Sequence, residues 1–350
     1  MIGIGLCLIY LAVEKDYEPM LLLPIGFGAI MANIPLSSAV GPEGFLTRLY
    51  NAGVITELFP LLVFMGIGAM IDFSPLLQQP ALLVFGAAAQ IGVFGTMVAA
   101  AGMGFSIKEA AAIGVIGAAD GPTAIFVATR FARHLLAPIS VAAYSYMSLV
   151  PIIQPPIIKL LTTKEERLIR MPSYQPKAVP RSVRIVFPIL VTLVAGVVAP
   201  VSVALVGALM FGNLMRESGV VERLVRSASN ELVNVVTMLL GITIGSTMVA
   251  EQFLKPATLG VIAMGLLAFA LDTAGGVLFA KGVNLFLKQK VNPMIGACGI
   301  SAFPMSARVV QRMAQAEDPQ NFVLMQAVAV NVGGQIASVV AGAIVMALVK

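Results

Sequence analysis

A single carboxylate, Asp120, lies in the middle of an apolar run, residues 113–126, that is about long enough to lie inside a membrane. Directly after it come Gly121 and Pro122, the two residue types least compatible with a continuing helix. An acid at that depth is costly, and irregular backbone there is tolerated only where it lines a cavity or is buried in protein. The combination predicts a cation site at a helix break, as in secondary transporters. An acid that is buried for packing alone is the alternative.

A second polar stretch interrupts apolar sequence at residues 292–301, where it supplies the amide of Asn292 and the hydroxyl of Ser301. A further amide, Asn331, lies in the last apolar segment beside two glycines. Amide, hydroxyl and freed carbonyl oxygens, together with the carboxylate of Asp120, suit Na⁺, which exchanges its hydration shell for such oxygens. The same Asn and Ser side chains would also serve as helix caps around the break, and the sequence leaves both interpretations open.

Other side chains in apolar surroundings could take part in proton or anion chemistry. Tyr144 and Tyr146 lie early in an apolar segment, and a buried tyrosine hydroxyl needs a partner and can relay a proton. Packing with the hydroxyl at the membrane interface is the alternative for each. Arg308 follows the second polar stretch by one to two helical turns. Asp272 fits either a scaffold hydrogen bond or a second site, and the sequence does not separate the two.

Composition determines the class of protein that must position these groups. The 350 residues are 59% hydrophobic and 11% charged, whereas about a quarter of a soluble globular domain is charged. The sequence therefore predicts an all-α polytopic membrane protein. Its net charge of +5 reflects membrane topology and lipid contact, and we do not interpret it as a sign of nucleic-acid binding.

The apolar segments fall into two groups on either side of a basic stretch. They lie near residues 1–13, 19–36, 54–71, 81–105, 108–128, 134–161, 185–215, 231–250, 257–287, 291–312 and 321–349. Between Lys159 and Arg184 there are seven basic and two acidic side chains, which predicts a cytoplasmic location. We therefore predict a first membrane repeat at 1–161, a basic cytoplasmic linker at 162–184 and a second repeat at 185–350. The first apolar run is short for a span, so we expect the natural chain to begin earlier.

The two halves share motifs in the same order. The pairs are Gly28 to Asn33 with Gly207 to Asn213, Met65 to Gly68 with Leu240 to Thr243, and Gly114-x-x-Gly117-x₄-Pro122 with Gly296-x-x-Gly299-x₄-Pro304. Gln90 and Asp272 precede the last pair at equal spacing. If the broken segments are re-entrant, each half has five crossings. Because five is odd, the halves would then be inverted repeats, an architecture that places a site at the midplane between two broken helices.

Three long stretches resemble the signature sequences of one protein family. They are residues 117–126, 143–156 and 292–308. The family is that of the membrane β subunits of biotin-dependent, sodium-translocating decarboxylases, which act on oxaloacetate, methylmalonyl-CoA or glutaconyl-CoA. The resemblance extends over about residues 9–349, and members of the family carry a further N-terminal segment.

This resemblance implies a function in the cell (inner, cytoplasmic) membrane. The subunit would be a carboxybiotin decarboxylase that couples decarboxylation to Na⁺ export and consumes a proton. Na⁺ and carboxybiotin, the latter supplied by a partner biotin-carrier subunit, are the implied cofactors. The implied partners are carboxyltransferase and biotin-carrier subunits, a small single-span membrane subunit, membrane lipid and further copies of the chain in a homo-oligomer, with no nucleic acid. The implied fold is elevator-like, with one bundle carrying the site against a scaffold.

The resemblance also assigns roles to single residues. The implied metal site consists of Asp120, Asn292, Gly296, Ser301 and Asn331, in which Asp120 and Asn292 coordinate Na⁺ and Gly296 lets the backbone approach closely. The implied catalytic residues are Asp120, Tyr146 and Arg308. Tyr146 and Arg308 would bind carboxybiotin, Tyr146 as proton donor or relay and Arg308 as the partner of its carboxylate, because a guanidinium matches a carboxylate bidentately.

Two other classes of protein fit parts of the sequence. A plain secondary Na⁺-coupled transporter of a small anion would explain inverted repeats and broken helices without any chemistry. A membrane scaffold without transport would leave the buried Asp120 unexplained. The stretches 143–156 and 292–308 favour the decarboxylase over the plain transporter, because the decarboxylase family carries both.

Overall fold

A computed structural model describes residues 1–16, 19–171, 178–253 and 255–349, and this part of the chain contains helices and no strand. The prediction of an all-α protein is confirmed. Helices are the expected outcome for such apolar sequence, because each backbone polar group is then satisfied within its own segment.

The helices of the first half run from α1 to α12. They are α1 (Ile2–Lys15), α2 (Pro19–Ala32), α3 (Phe45–Leu49), α4 (Leu58–Met70), α5 (Ser74–Gln78), α6 (Leu83–Ala89), α7 (Ile91–Gly102), α8 (Ile107–Gly114), α9 (Gly121–Phe131), α10 (Leu136–Ser148), α11 (Val150–Leu161) and α12 (Lys164–Arg167). Short 3₁₀ segments lie at Pro80–Leu82, Val115–Ala118 and Arg133–Leu135, and a π-helical turn lies at Tyr50–Ile55.

The helices of the second half run from α13 to α20. They are α13 (Arg181–Val198), α14 (Val203–Ser218), α15 (Glu222–Ser227), α16 (Val233–Ser246), α17 (Ala250–Phe253), α18 (Pro256–Asn284), α19 (Met305–Glu317) and α20 (Leu324–Leu348). Pro200–Ser202 and Pro293–Gly299 are 3₁₀ segments, and Ala228–Leu232 is a π-helical turn.

Within the described residues, five helical stretches are long and apolar enough to cross a membrane, and seven if each bent pair is one span. The five are Pro80–Gly102, Arg181–Val198, Glu222–Ser246, Pro256–Asn284 and Leu324–Leu348. This number of spans is lower than the ten crossings expected from the sequence, because several apolar helices are short. For example, α2 has 14 residues. α20 is central, with 83% of its most apolar window buried, whereas α13 is peripheral, with 11%.

Helices of the two halves pack on each other in reciprocal pairs, α2 on α16 and α4 on α14. At Gly28 an added Cβ would lie 2.1 Å from the carbonyl oxygen of Ile242, and at Gly212 it would lie 2.0 Å from that of Met65. Each contact therefore requires glycine. Gly212 thus makes the same kind of contact as Gly28, whereas the sequence comparison paired Gly28 with Gly207.

The helix break expected at Asp120 is present. α8 passes into the 3₁₀ segment Val115–Ala118, Ala119 adopts a φ of 52°, and the extended Asp120 then caps α9. Pro122 stands in the first turn of α9, where its missing N–H leaves no hydrogen bond unmade. Gly121 and Pro122 therefore begin the second helix, and the first ends before the acid.

The second predicted break is also present, and α18 and α20 pack against both breaks. Asn292 precedes the 3₁₀ segment Pro293–Gly299, and an extended Ile300 follows it before α19 begins. A seven-residue 3₁₀ segment is long for this type of helix. Its backbone is fully buried in protein, which is the condition for irregular structure at membrane depth.

The basic stretch between the halves is partly helical where it is described. α12 lies within it, and Arg167 and Arg170 pair with Glu317 and Asp318 at the end of α19, with N–O distances of 2.7 and 2.6 Å. Residues 172–177, with two of the prolines on which an extended linker was predicted, lie outside the described residues. The first part of the stretch is therefore docked on the second half.

Candidate cation site and arginine-lined cavity

Asp120 is buried, and within the described part of the chain its carboxylate accepts hydrogen bonds only from neutral groups. Oδ1 accepts from the backbone N–H of Thr123 at 3.2 Å, and Oδ2 accepts from the Thr123 hydroxyl and the Ser338 hydroxyl, both at 2.8 Å. Among the described residues, no Lys, Arg or His nitrogen lies within 4 Å of it. Asp120 therefore caps α9, a role that the packing interpretation also explains. It is at the same time a buried acid with no cationic partner among the described residues.

A chain of hydroxyls joins Asp120 to the second break. Ser301 donates to the Ser338 hydroxyl over 2.5 Å, and Ser338 in turn donates to Asp120. The backbone N–H of Ser301 donates to the carbonyl of Ala118 over 2.8 Å, which ties the two breaks together directly. Ser301 therefore lies near Asp120 and is connected to its carboxylate through the hydroxyl of Ser338.

Asn331 lies on α20, two turns before Ser338, and faces the second break. Its Nδ2 donates to the carbonyls of Cys298 and Ile300 at 3.2 and 2.6 Å. Its Oδ1 is buried and has no hydrogen-bond partner among the described residues. An amide oxygen that is buried and unpaired is available to a cation, because leaving it bare is costly.

Gly296 lies within the second 3₁₀ segment, where two backbones touch. An added Cβ would lie 2.0 Å from the carbonyl oxygen of Gly276, and one at Gly276 would lie 2.0 Å from that of Gly296. Any side chain at either position would push the segment away from α18. Gly296 therefore makes a close backbone contact with α18, and its place in a metal site stays a prediction.

The structure does not bring Asn292 to Asp120. Nδ2 of Asn292 donates to the carbonyls of Arg167 and Ile169 at 2.9 and 3.0 Å, and Oδ1 accepts from the backbone of Met294 at 3.1 Å. Asn292 lies at the far end of the Pro293–Gly299 segment from Ser301, and seven 3₁₀ residues span about 14 Å. Its side chain caps that segment and holds the linker.

Of the two tyrosines, Tyr144 is the one at the break. An added Cβ at Gly121 would lie 2.1 Å from Cε1 of Tyr144, so this ring covers the residue next to Asp120. Tyr146 instead faces α18, where its hydroxyl donates to the carbonyl of Ile262 over 2.5 Å. The tyrosine selected by resemblance is therefore buried and its hydroxyl is hydrogen-bonded, whereas Tyr144 packs against the residue next to Asp120.

Arg308 is exposed and lines a cavity of about 430 Å³ together with Arg312. The other lining residues are Pro151, Met305, Gln311 and Leu324. Arg312 was missed by the sequence reasoning, although its spacing of four residues from Arg308 on a helix places both on one face. No acidic side chain of the described residues lines this cavity, so its two arginines have no counter-charge in the lining.

Thr123 and Ser338 were also missed as neighbours of Asp120. The first could have been found as the third residue of a helix capped by Asp120, where a capping carboxylate receives a backbone N–H. The second lies seven residues after Asn331 and thus on the same helical face, so the pair Asn331 and Ser338 was a detectable signal.

Asp272 and Gln90, matched by spacing, occupy reciprocal places. Gln90 donates to the carbonyl of Gly299 over 3.3 Å, and Asp272 accepts from the N–H of Val93 over 3.0 Å. Oδ2 of Asp272 would be 2.7 Å from a Cβ at Gly117. Each side chain thus contacts a helix or break of the other half, and Asp272 makes at least one scaffold hydrogen bond.

The ends of the helices outside the membrane carry paired charges. The Arg167 guanidinium lowers the pKa of the Glu317 carboxyl, and the Arg170 guanidinium does the same to the pKa of Asp318. Both acids are therefore ionised near neutral pH, which holds the linker against the end of α19.

Residues 1–349 match the sequence model of a family described as "Na+-transporting oxaloacetate decarboxylase beta subunit". The chain is 50% identical over 350 residues to the methylmalonyl-CoA decarboxylase subunit beta of Veillonella parvula, covering 100% of this chain and 92% of that protein. It is 49% identical over 349 residues to the glutaconyl-CoA decarboxylase subunit beta of Acidaminococcus fermentans, covering 100% and 92%. It is 43% identical to the oxaloacetate decarboxylase beta chain of Haemophilus ducreyi, covering 99% and 93%.

Proposed function

This chain belongs to the Na⁺-transporting oxaloacetate decarboxylase beta subunit family, and on that premise we propose that it decarboxylates carboxybiotin and couples this reaction to Na⁺ export. The resemblance stated from the three sequence stretches is thereby confirmed at the level of the family. Three similar proteins are named beta subunits of decarboxylases with three different substrates, so the acyl substrate of this complex is not specified by the beta chain.

The observation that carries the proposal is the buried carboxylate of Asp120 with neutral donors only. An ionised carboxylate inside a membrane protein is costly without a cation. Na⁺ and H⁺ would neutralise it alternately during the cycle. Moving one bare charge against about 100 mV costs about 2.3 kcal/mol before any concentration gradient, and a neutralised carboxylate lowers the barrier to carrying the ion.

The sodium site that we propose is built from oxygens of both breaks. Asp120 supplies the charge, Ser301 a hydroxyl and Asn331 the unpaired amide oxygen, while Gly296 keeps the second break in close contact with α18. Several such oxygens can replace the hydration shell of Na⁺. Asn292 would join them only if the second break moves, because its amide is engaged by Arg167 and Ile169.

Carboxybiotin would bind in the arginine-lined cavity. In decarboxylation the bond between the ureido nitrogen and the carboxylate carbon breaks, CO₂ leaves, and the nitrogen takes a proton. Arg308 would pair with the carboxylate, since its fork matches that group bidentately. The proton would come through a membrane tyrosine; Tyr146 is the candidate by resemblance, and Tyr144 is the one packed next to Asp120.

We further propose that the halves, residues 1–161 and 185–350, are inverted repeats joined by a cytoplasmic linker at 162–184. The reciprocal contacts of Gly28 with Ile242 and of Gly212 with Met65 support a twofold relation. Two breaks that meet at one site are the arrangement that inverted repeats generate. An elevator movement of the bundle that carries the breaks would then expose the site alternately to the two sides.

The proposed setting is a complex in the cytoplasmic membrane. The names of the similar proteins describe them as subunits of decarboxylases. The partners proposed for this chain are a carboxyltransferase, a biotin carrier that supplies carboxybiotin, a small single-span subunit, lipid and further copies of the chain. The cargo is Na⁺.

The test is the rate of carboxybiotin decarboxylation by the purified complex, titrated with NaCl and, as a control, with KCl. Saturable stimulation by Na⁺ alone is the expected result. A rate that is indifferent to Na⁺, together with Na⁺-driven uptake of a small anion into vesicles, would identify a plain secondary transporter instead.

A further inference from the structure

Two arginines on α19, Arg308 and Arg312, have guanidinium groups with no ion pair or hydrogen bond to any described residue. Two arginines of the basic stretch, Arg167 on α12 and Arg170 after it, pair with Glu317 and Asp318 at the other end of this helix. The acids at the end of α19 are thus paired with the basic stretch, and the two arginines nearer its start have no counter-charge among the described residues.

The four-residue spacing of Arg308 and Arg312 is unfavourable for the stability of the protein without a ligand. Residues four apart on a helix lie on the same face with Cβ atoms about 5–6 Å apart, and two like charges there repel each other. Both side chains are exposed at the mouth of the cavity. An anion bound between them would convert this repulsion into a pair of charge-assisted hydrogen bonds.

The walls of the cavity define what kind of anion fits. Its volume is about 430 Å³, and Pro151, Met305 and Leu324 make much of its lining apolar. Gln311 is not free to bind a ligand, because its Nε2 donates to the carbonyl of Asn321 at 3.3 Å and its Oε1 accepts from the N–H of Val323 at 2.8 Å. The lining therefore suits a ligand with an anionic head, which the two guanidinium groups would bind, and an apolar body.

Resting on the proposed function, we infer that Arg312 is a second guanidinium that binds the carboxylated ureido head of carboxybiotin beside Arg308. The fused rings of biotin would lie against Pro151, Met305 and Leu324. Arg312 is one helical turn farther than Arg308 from Ser301 and the cation site, so it meets the entering anion on the side away from the breaks.

The chemistry of the step indicates which kinetic constant Arg312 controls. When the C–N bond breaks, the electron pair stays on the ureido nitrogen and spreads to the ureido oxygen, CO₂ leaves uncharged, and the nitrogen then takes a proton. Negative charge thus leaves the carboxylate in the transition state. A guanidinium that pairs with this carboxylate therefore binds the ground state at least as strongly as the transition state, so its removal raises KM without lowering kcat.

The experiment compares Arg312→Gln and Arg312→Lys with the wild-type complex in initial rates of carboxybiotin decarboxylation at saturating Na⁺. We expect Arg312→Gln to raise KM about tenfold with kcat within about twofold, and Arg312→Lys, which keeps the charge, to raise it less. Arg223→Gln is the matched control, because Arg223 is an exposed arginine on α15 with no partner among the described residues.

Ionic strength adds a readout that a purely structural role would not affect. At constant Na⁺, added choline chloride should raise the wild-type KM more steeply than that of Arg312→Gln, because salt screens exposed charges. An unchanged KM in folded Arg312→Gln, or a loss confined to kcat, overturns the inference. If the wild-type complex does not decarboxylate carboxybiotin at all, the proposed function itself has failed, and the two failures are thereby distinguished.

Discussion

Ser338 donates a hydrogen bond to Oδ2 of Asp120 over 2.8 Å, linking residues 218 positions apart in the chain. Thr123 supplies the other donors to this carboxylate. Three neutral donors orient the acid and do not cancel its charge. A mobile cation is the partner that we propose for it, and variants of Asp120 and Ser338 distinguish the loss of this cation from the loss of the helix cap.

Asp120→Asn should abolish both Na⁺ stimulation and decarboxylation by the complex. Asparagine caps helices about as well as aspartate, so α9 should keep its start while the charge that holds the cation is lost. Decarboxylation rates and Na⁺ titrations measure the effect. The matched control is Asp72→Asn, an exposed acid that caps a turn through the N–H of Ser74. Retained Na⁺-stimulated decarboxylation in Asp120→Asn would exclude the proposed site.

Ser338→Ala should weaken Na⁺ activation by about tenfold while the protein stays folded. The substitution removes one donor to the carboxylate and breaks the hydroxyl chain from Ser301; a hydrogen bond to a charged group contributes about 1.5–3 kcal/mol. The Na⁺ concentration for half-maximal activity is the measurement. Ser140→Ala is the control, since Ser140 is buried on α10 and has no hydrogen-bond partner among the described residues. Equal Na⁺ dependence in the two variants would remove Ser338 from the site.

The sequence predicted the helix break at Asp120 and the second break after Asn292, because a continuous membrane helix rarely tolerates polar groups next to glycine and proline. It did not predict which side-chain oxygens of the second break lie close to Asp120. Asn292 and Ser301 belong to one short stretch, and only the 3₁₀ winding of Pro293–Gly299 places them at opposite ends of it. Periodicity of 3.6 residues does not describe that segment, so the distance between its ends could not be inferred from spacing.

The glycine contacts between the halves were also beyond the sequence. Gly28 and Gly207 share a local motif, but Gly212 makes the contact that corresponds to that of Gly28. In Gly- and Ala-rich helices several offsets match equally well, and the close backbone approach that decides between them is a tertiary property.

Asn292→Ala and Asn321→Ala should behave alike. Both side chains donate from Nδ2 to the carbonyls of Arg167 and Ile169, so either substitution should loosen the linker and lower the temperature of unfolding. We expect both variants to keep the wild-type Na⁺ affinity. Thermal unfolding and Na⁺ titration are measured on both. A loss of Na⁺ affinity in Asn292→Ala alone would show that Asn292 coordinates the ion in another conformation of the break.

Arg308→Lys should weaken carboxybiotin turnover by at least about tenfold with Na⁺ binding largely kept. Lysine keeps the charge but loses the planar fork that pairs bidentately with a carboxylate. Turnover and Na⁺ binding are measured separately. Arg223→Lys is the control, because it replaces an arginine by a lysine outside the cavity. Lost Na⁺ binding with normal carboxybiotin affinity would assign Arg308 to the cation site instead.

Acid should release the linker from α19. The pKa of Glu317 is lowered by Arg167, so its ion pair stabilises the docked linker fully above the ordinary value of 4.5, and that stabilisation is lost as the pH falls through the lower pKa of the folded state. Protease cleavage within the basic stretch, followed from pH 7 to pH about 3, reports the release. Glu317→Gln should be cleaved more readily than the wild type at neutral pH, and the smaller acid dependence that remains should come from the pair of Arg170 with Asp318. Glu251→Gln, which alters an exposed acid on α17, should keep the wild-type profile. An acid dependence that persists unchanged in Glu317→Gln would show that other groups hold the linker in place.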